Sequence, residues 1–130
     1  MTETWEKLYN AAKAAVCPHE LSQHMCVGSV GAAVLTKDGN IYTGICIDTA
    51  CSLGFCAERN ALSTMFTHGE YEITHVCAVY LDGSVMPPCG ACREFMAQLM
   101  QNKNLPVEIL LDLDAEKIVT LRDLTPEWWL

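Results

Sequence analysis

With 130 residues, the chain has the length of one domain built round a single hydrophobic core. Its 16 acidic and 8 basic side chains give a formal net charge of -8, which argues against polynucleotide or anionic-membrane partners, since both are gripped through clustered Lys and Arg. A hydrophobic fraction of 51% beside 18% charged residues is apolar for so small a domain, so partner subunits are expected to cover part of the surface.

The N-terminal segment carries charges where a secretory signal would be apolar, and no run approaches the roughly 20 apolar residues of a membrane span. A cytoplasmic protein is expected. Trp5, Leu8, Tyr9, Ala12, Ala15 and Val16 recur at helical spacing and predict a helix over residues 3–16, with Pro18 beyond its end. Residues 30–35 and 41–47 flank Lys37-Asp38-Gly39-Asn40, the pattern of a β-hairpin. A second helix is predicted over 56–68, stopped at Gly69. A buried strand follows over 74–80, and Pro87-Pro88 punctuate the chain before a third helix at 90–101. Residues 107–111 and 117–119 read as two last strands, and 121–130 as a tail holding a short helix. The order α-β-β-α-β-α-β-β predicts a five-stranded sheet with helices packed on its faces. No repeat or linker divides residues 1–130, which are expected to form one domain.

Eight cysteines need an explanation. A disulfide framework suits shorter, secreted chains poor in core residues, which leaves metal ligands and packed thiols. Cys77, inside the apolar run from His75 to Tyr80, reads as packed. Cys89 and Cys92 form a Cys-x-x-Cys at one helix start, and Cys56 opens another. Three protein ligands suit a catalytic zinc, which keeps a place for water where a structural site has a fourth ligand. Unpaired N–H groups at a helix N-terminus favour the thiolate, so both helix starts assist. Glu58, two residues past Cys56, is placed to face the open position and move protons there. Arg59 and Arg93 directly follow the ligand motifs. They either donate hydrogen bonds to the sulfurs from outside the ligand shell or are ordinary solvated or ion-paired arginines.

Cys56-Ala57-Glu58-Arg59 together with Pro88-Cys89-Gly90-Ala91-Cys92-Arg93 resembles the zinc-dependent cytidine deaminase superfamily, nearest to its small cytidine and blasticidin S deaminase branch. Val30-Gly31-Ala32-Ala33, Lys37-Asp38-Gly39 and Asp123-Leu124-Thr125-Pro126 extend the likeness over most of the chain. The resemblance implies a three-layer α-β-α fold whose five-stranded mixed sheet runs in the order 2-1-3-4-5. It implies one Zn²⁺ per subunit on Cys56, Cys89 and Cys92, and a homotetramer with sites near subunit interfaces. It also implies hydrolytic exchange of a ring amine for a carbonyl, releasing ammonia, on a small aminopyrimidine nucleoside such as cytidine or deoxycytidine. Glu58 would accept a proton of the attacking water, protonate the ring nitrogen, and in a second transfer protonate the leaving amine. The Ala57 N–H would meet the substrate's carbonyl or exocyclic group.

The likeness has gaps. Nucleoside deaminases of this kind hold the ribose with Asn-x-Glu, and blasticidin S deaminases place a Tyr two residues after that Asn. Here the place reads Cys46-Ile47-Asp48. Cys46 and Asp48 are candidate substrate contacts, Asp48 as a hydroxyl acceptor; the other reading for Asp48 is a cap or turn. Gly28 stands where relatives commonly have a Phe packed near the base. Trp128 and Trp129 stand where relatives have aromatics that reach a neighbouring subunit's site, either to stack on a substrate ring or to bury apolar area. Cys17, His19, His24 and Cys26 form a second Cys/His cluster, read as another metal site or as a loop with two free thiols. Two other functions stay open: deamination of blasticidin S or another amine-bearing heterocycle, and a catalytically silent zinc protein that binds a nucleoside-like ligand or only assembles.

Overall fold

The computed structural model describes residues 1–103 and 106–130. Helix α1 (Glu3–Ala15) begins at Thr2, whose hydroxyl accepts the Trp5 N–H, and it buries a stripe of Trp5, Leu8 and Ala12. Strands β1 (His19–Ser22), β2 (Met25–Thr36) and β3 (Ile41–Thr49) follow, then α2 (Ala57–Thr67) and β4 (Ile73–Tyr80). Helix α3 (Gly90–Leu99), β5 (Glu108–Asp112), β6 (Lys117–Thr120) and a single 3₁₀ turn at Arg122–Leu124 complete the order.

The central strand is β2. It pairs antiparallel with β3 on one side; on the other it pairs with β1 near its start and with β4 from Val30 onward. Beyond β4 come β5, parallel to it, and the antiparallel β6. The sheet is mixed because α3 carries the chain across between β4 and β5, as a parallel pair requires. Counting from the first hairpin strand, the expected 2-1-3-4-5 order is present, with one strand more than the five predicted. The extra strand, β1, is His-Glu-Leu-Ser with all four residues exposed, so it carries no apolar alternation to announce it. Strand β2 also begins five residues before the predicted Val30, because a bulge between Val27 and Gly31 breaks its pattern.

Side chains alternate across the sheet with period two. Ala33, Cys77, Val79 and Leu110 pack against α1, and Ala32, Val34, Val76, Ala78 and Ile109 pack under α2 and α3. The result is three layers. Helix α2 lies flush on β3 because Gly44 has no side chain: a Cβ there would stand 2.3 Å from the Ala61 nitrogen and 2.8 Å from the Ala57 carbonyl oxygen. Asn60 pins the same crossing by donating from Nδ2 to the Ile45 carbonyl at 2.9 Å.

Candidate active site

Helices α2 and α3 start side by side. Cys56 and Cys89 are their N-cap residues, both extended, with φ/ψ of -73°/158° and -69°/169°, and neither cap makes a side-chain hydrogen bond to its helix. The loop before Cys56 is folded back by a two-hydrogen-bond bridge between Ile47 and Phe55, both 3.0 Å. Gly54 permits that bridge, since a Cβ would fall 2.1 Å from the Ile47 oxygen. Cys56 and Cys89 thereby bring their Sγ atoms to 3.2 Å, and with Cys92 the three sulfurs lie within 4.8 Å of one another. Among the described residues no other set of three or more Cys, His, Asp or Glu ligand atoms is gathered this way. Cys17, His19, His24 and Cys26 lie on or beside the β1–β2 hairpin and do not form such a set.

All eight cysteines are free thiols. Burial, reinforced by the Cys89 sulfur and opposed by Arg59, raises the Cys56 thiol above its ordinary value. Cys92 is raised further by burial and by the charges of Glu58, Cys56 and Cys89. Burial also opposes ionisation of Cys89, but the N–H groups of Cys92 and Ala91 and the two neighbouring thiols outweigh it and lower its pKa. The helix-start effect expected from the sequence at both caps is present at Cys89, while at Cys56 burial wins. Cys77, on the α1 face of the sheet, is pushed up to about 12 by burial and the Glu58 charge, and is a packed thiol.

Glu58 occupies the first turn of α2 and is 4% exposed. Burial raises its carboxyl above the ordinary range, while its own backbone N–H and the Arg59 charge pull it back. Arg59 reaches a sulfur, with Nη2 3.9 Å from Cys56 Sγ. Arg93 does not. Its Nε donates to the Pro88 carbonyl at 2.8 Å and its Nη1 to the Leu124 carbonyl at 3.3 Å. Of the two readings of Arg93, sulfur donor or solvated or ion-paired arginine, the contacts fit neither: its guanidinium braces the Cys89 loop against the tail.

A cleft of about 430 Å³ opens over these residues, lined by Cys46, Asp48, Cys56, Ala57, Glu58 and Cys89, among others. Cys46 is 6% exposed and its sulfur is occupied within the chain: it accepts from the Val30 N–H at 3.3 Å, lies 3.3 Å from Ser29 Oγ and 3.7 Å from Asp48 Oδ2. Asp48 also has Cys26 Sγ at 3.9 Å. Ser29 and Met86 line the cleft too, and were not singled out in the sequence. Ser29 stands one residue before the Val30-Gly31-Ala32-Ala33 run, the only sequence cue to its place. Gly28 is not among the lining residues. Its φ is +87° and a Cβ would lie 2.0 Å from the Cys17 carbonyl oxygen, so no aromatic ring can stand there. Within one chain neither tail tryptophan lines the cleft. Trp129 is 71% exposed and donates from Nε1 to Glu94 Oε1 at 2.6 Å, and Trp128 lines a separate, larger groove of about 810 Å³ between α3, β6 and the tail.

Residues 3–107 match the family model for the cytidine and deoxycytidylate deaminase zinc-binding region. The chain belongs to this family. Over 71 residues it is 42% identical to a cytidine deaminase of Halalkalibacterium halodurans, a match covering 54% of each chain. Thus the chain spans about half the length of the curated relatives it matches, 54–57% for the first three. Structural likeness runs further. A cytidine deaminase from Burkholderia pseudomallei, 30% identical, superposes with a TM-score of 0.75 over 99% of this chain and 100% of that one. One from Mycobacterium leprae, 26% identical, gives 0.77 over 97% and 100%.

Zinc is the ion this family region binds, and the three sulfurs fit it. Soft thiolate ligands suit zinc, and three sulfurs gathered within 4.8 Å of one another are a set that a divalent cation can hold together. Three protein ligands are the number a catalytic zinc would use, and Cys56, Cys89 and Glu58 line the same cleft. Among the described residues no helix is long and apolar enough to cross a membrane.

Proposed function

We propose that this chain is a zinc-dependent hydrolytic deaminase that converts the ring amine of cytidine or deoxycytidine to a carbonyl and releases ammonia. The observation that carries the proposal is Glu58, a buried carboxyl lining the same cleft as the clustered thiols, where a purely structural metal site has no use for one. Zinc, held by Cys56, Cys89 and Cys92, supplies the Lewis acidity that lets water lose a proton near neutral pH. Glu58 accepts one proton of that water on its carboxylate and gives it to the ring nitrogen beside the amine-bearing carbon. It then takes the water's second proton from the oxygen newly bonded to that carbon and gives it to the departing amine. Water and the aminopyrimidine thus yield the carbonyl product and ammonia, with Glu58 unchanged at the end. The Ala57 N–H, in the first turn of α2, binds the substrate carbonyl, and Arg59 offsets the charge of three thiolates.

Asp48 takes a substrate hydroxyl in this reading. Cys46 cannot replace an amide, because its sulfur is already engaged by Val30 and Ser29. That engagement supports a second substrate class, an amine-bearing heterocycle that makes no demand on an amide at position 46; blasticidin S, whose deaminases keep that Asn, is the named alternative to test beside it. Leu53, Leu81 and Trp129 are each exposed, apolar surface that fits a homotetramer in which Trp129 or Trp128 reaches a neighbouring cleft. A reducing cytoplasm would keep the ligand thiols free.

Ammonia release from cytidine, deoxycytidine and blasticidin S, measured beside zinc content, tests the proposal. Wild-type protein is expected to turn over at least one of them, and Glu58→Gln to keep its zinc while losing activity by several orders of magnitude. Turnover surviving in Glu58→Gln would remove Glu58 from the mechanism. No turnover of any compound by zinc-loaded wild type would leave a silent zinc protein.

A further inference from the structure

Two neighbouring residues near the start of α3 hold the C-terminal tail. Arg93 joins the Pro88 carbonyl, one residue before the ligand Cys89, to the Leu124 carbonyl, and Glu94 accepts the Trp129 indole N–H. Both residues sit on the helix that carries Cys92 and is capped by Cys89. The tail end of this contact is a firm anchor. Leu124 N donates to the Leu121 carbonyl at 3.0 Å and Thr125 N to the Arg122 carbonyl at 3.2 Å. Asp123 Oδ2 accepts the Thr120 N–H at 2.9 Å, and Thr125 Oγ1 donates to the Leu121 carbonyl at 2.9 Å. Leu121 is 7% exposed in the core, and Leu124 packs against it. The Leu124 carbonyl is therefore a fixed acceptor, 36 residues along the chain from the Pro88 carbonyl it is tied to.

From this geometry we infer that Arg93 is a positioning residue through which the tail sets the metal site: it fixes the Pro88 carbonyl, and with it the backbone entering Cys89, against the 3₁₀ turn at Arg122–Leu124. The inference rests on the zinc-site reading. A guanidinium suits the task because its rigid fork serves two carbonyls at once, whereas an ammonium is a point donor. Without it, two half-buried carbonyls lose their partners and the Cys89 loop its reference. Coupling of this kind is reciprocal, so zinc binding must in turn steady the tail.

The test uses the zinc-loaded 130-residue chain, with zinc transfer to an excess of a chelating dye as the first readout. Arg93→Ala is expected to release zinc roughly tenfold faster than wild type or more, the usual scale for partners that orient metal ligands. Arg93→Lys should fall between them and carries the comparison alone if Arg93→Ala does not fold. Tyr9→Phe removes a 2.6 Å hydrogen bond from α1 to the Gly83 carbonyl, remote from the sulfurs, and controls for a general loss of stability. It should release zinc at the wild-type rate. The second readout is hydrogen exchange at the Leu124 and Thr125 amides, which zinc should slow in wild type and not in Arg93→Ala. Equal release rates in wild type and both Arg93 variants, equal acceleration by Tyr9→Phe, or tail exchange indifferent to zinc would each overturn the inference. Wild-type protein that retains no zinc would overturn the zinc site itself, and the inference with it.

Discussion

Gly44 decides how closely α2 can approach the sheet. With the Ala61 nitrogen 2.3 Å from where a Cβ would sit, Gly44→Ala must push the helix outward, and backbone cannot yield as a flexible side chain does. We expect a loss of about 1–3 kcal/mol in urea unfolding, the range for overpacked sites. Activity should fall as well, because Cys56 and Glu58 ride on the displaced helix. An unchanged midpoint and rate would show that α2 has slack. Residues of the site differ in how far the sequence reveals them. Cys56, Glu58, Cys89 and Cys92 are legible because the two local motifs each mark a helix start. Ser29 is not, and Arg93 is legible as a neighbour of the ligands but not in what it touches, since those contacts are set by strands and turns distant in sequence. Gly28 was legible as a departure but not as a necessity, which only the nearby Cys17 carbonyl explains.

At the scale of elements, β4 carries a pH-sensitive contact with α1. His75 sits on β4 with its ring 4.9 Å from that of Trp5 and Nε2 3.3 Å from Glu108 Oε2. Burial lowers its pKa below 6.5, and Glu108 only partly restores it. Because the folded value lies below the unfolded one, the unfolded chain binds the extra proton between them, and stability falls as pH drops through that window. Denaturant midpoints measured at pH 7.5 and 5.5 should therefore differ more in wild type than in His75→Gln. Equal differences would mean that the imidazole titrates alike in both states. The elements with strong apolar periodicity were foreseen to within a few residues: α1, α2, the β4 strand and the first hairpin. Strand β1 was not, since exposed polar residues pair through their backbone alone and leave no side-chain pattern.

Across the whole molecule, the charge of -8 makes a simple statement about partners. Oligonucleotide binding at low salt, measured by fluorescence anisotropy, should be absent, and a salt-sensitive complex would contradict it. A second consequence concerns how this chain can change. Cys56 and Cys89 hold positions where Ser, Thr, Asp or Asn would each hydrogen-bond the helix start and add about 1 kcal/mol. In the metal-free chain, selection for thermal resistance alone would thus favour replacing the two thiols, and each such gain in melting temperature would remove a proposed zinc ligand and the stability that zinc adds. Durability and chemistry compete here for the same two atoms, so a sturdier version of this protein has to be sought on the other face of the sheet, around α1.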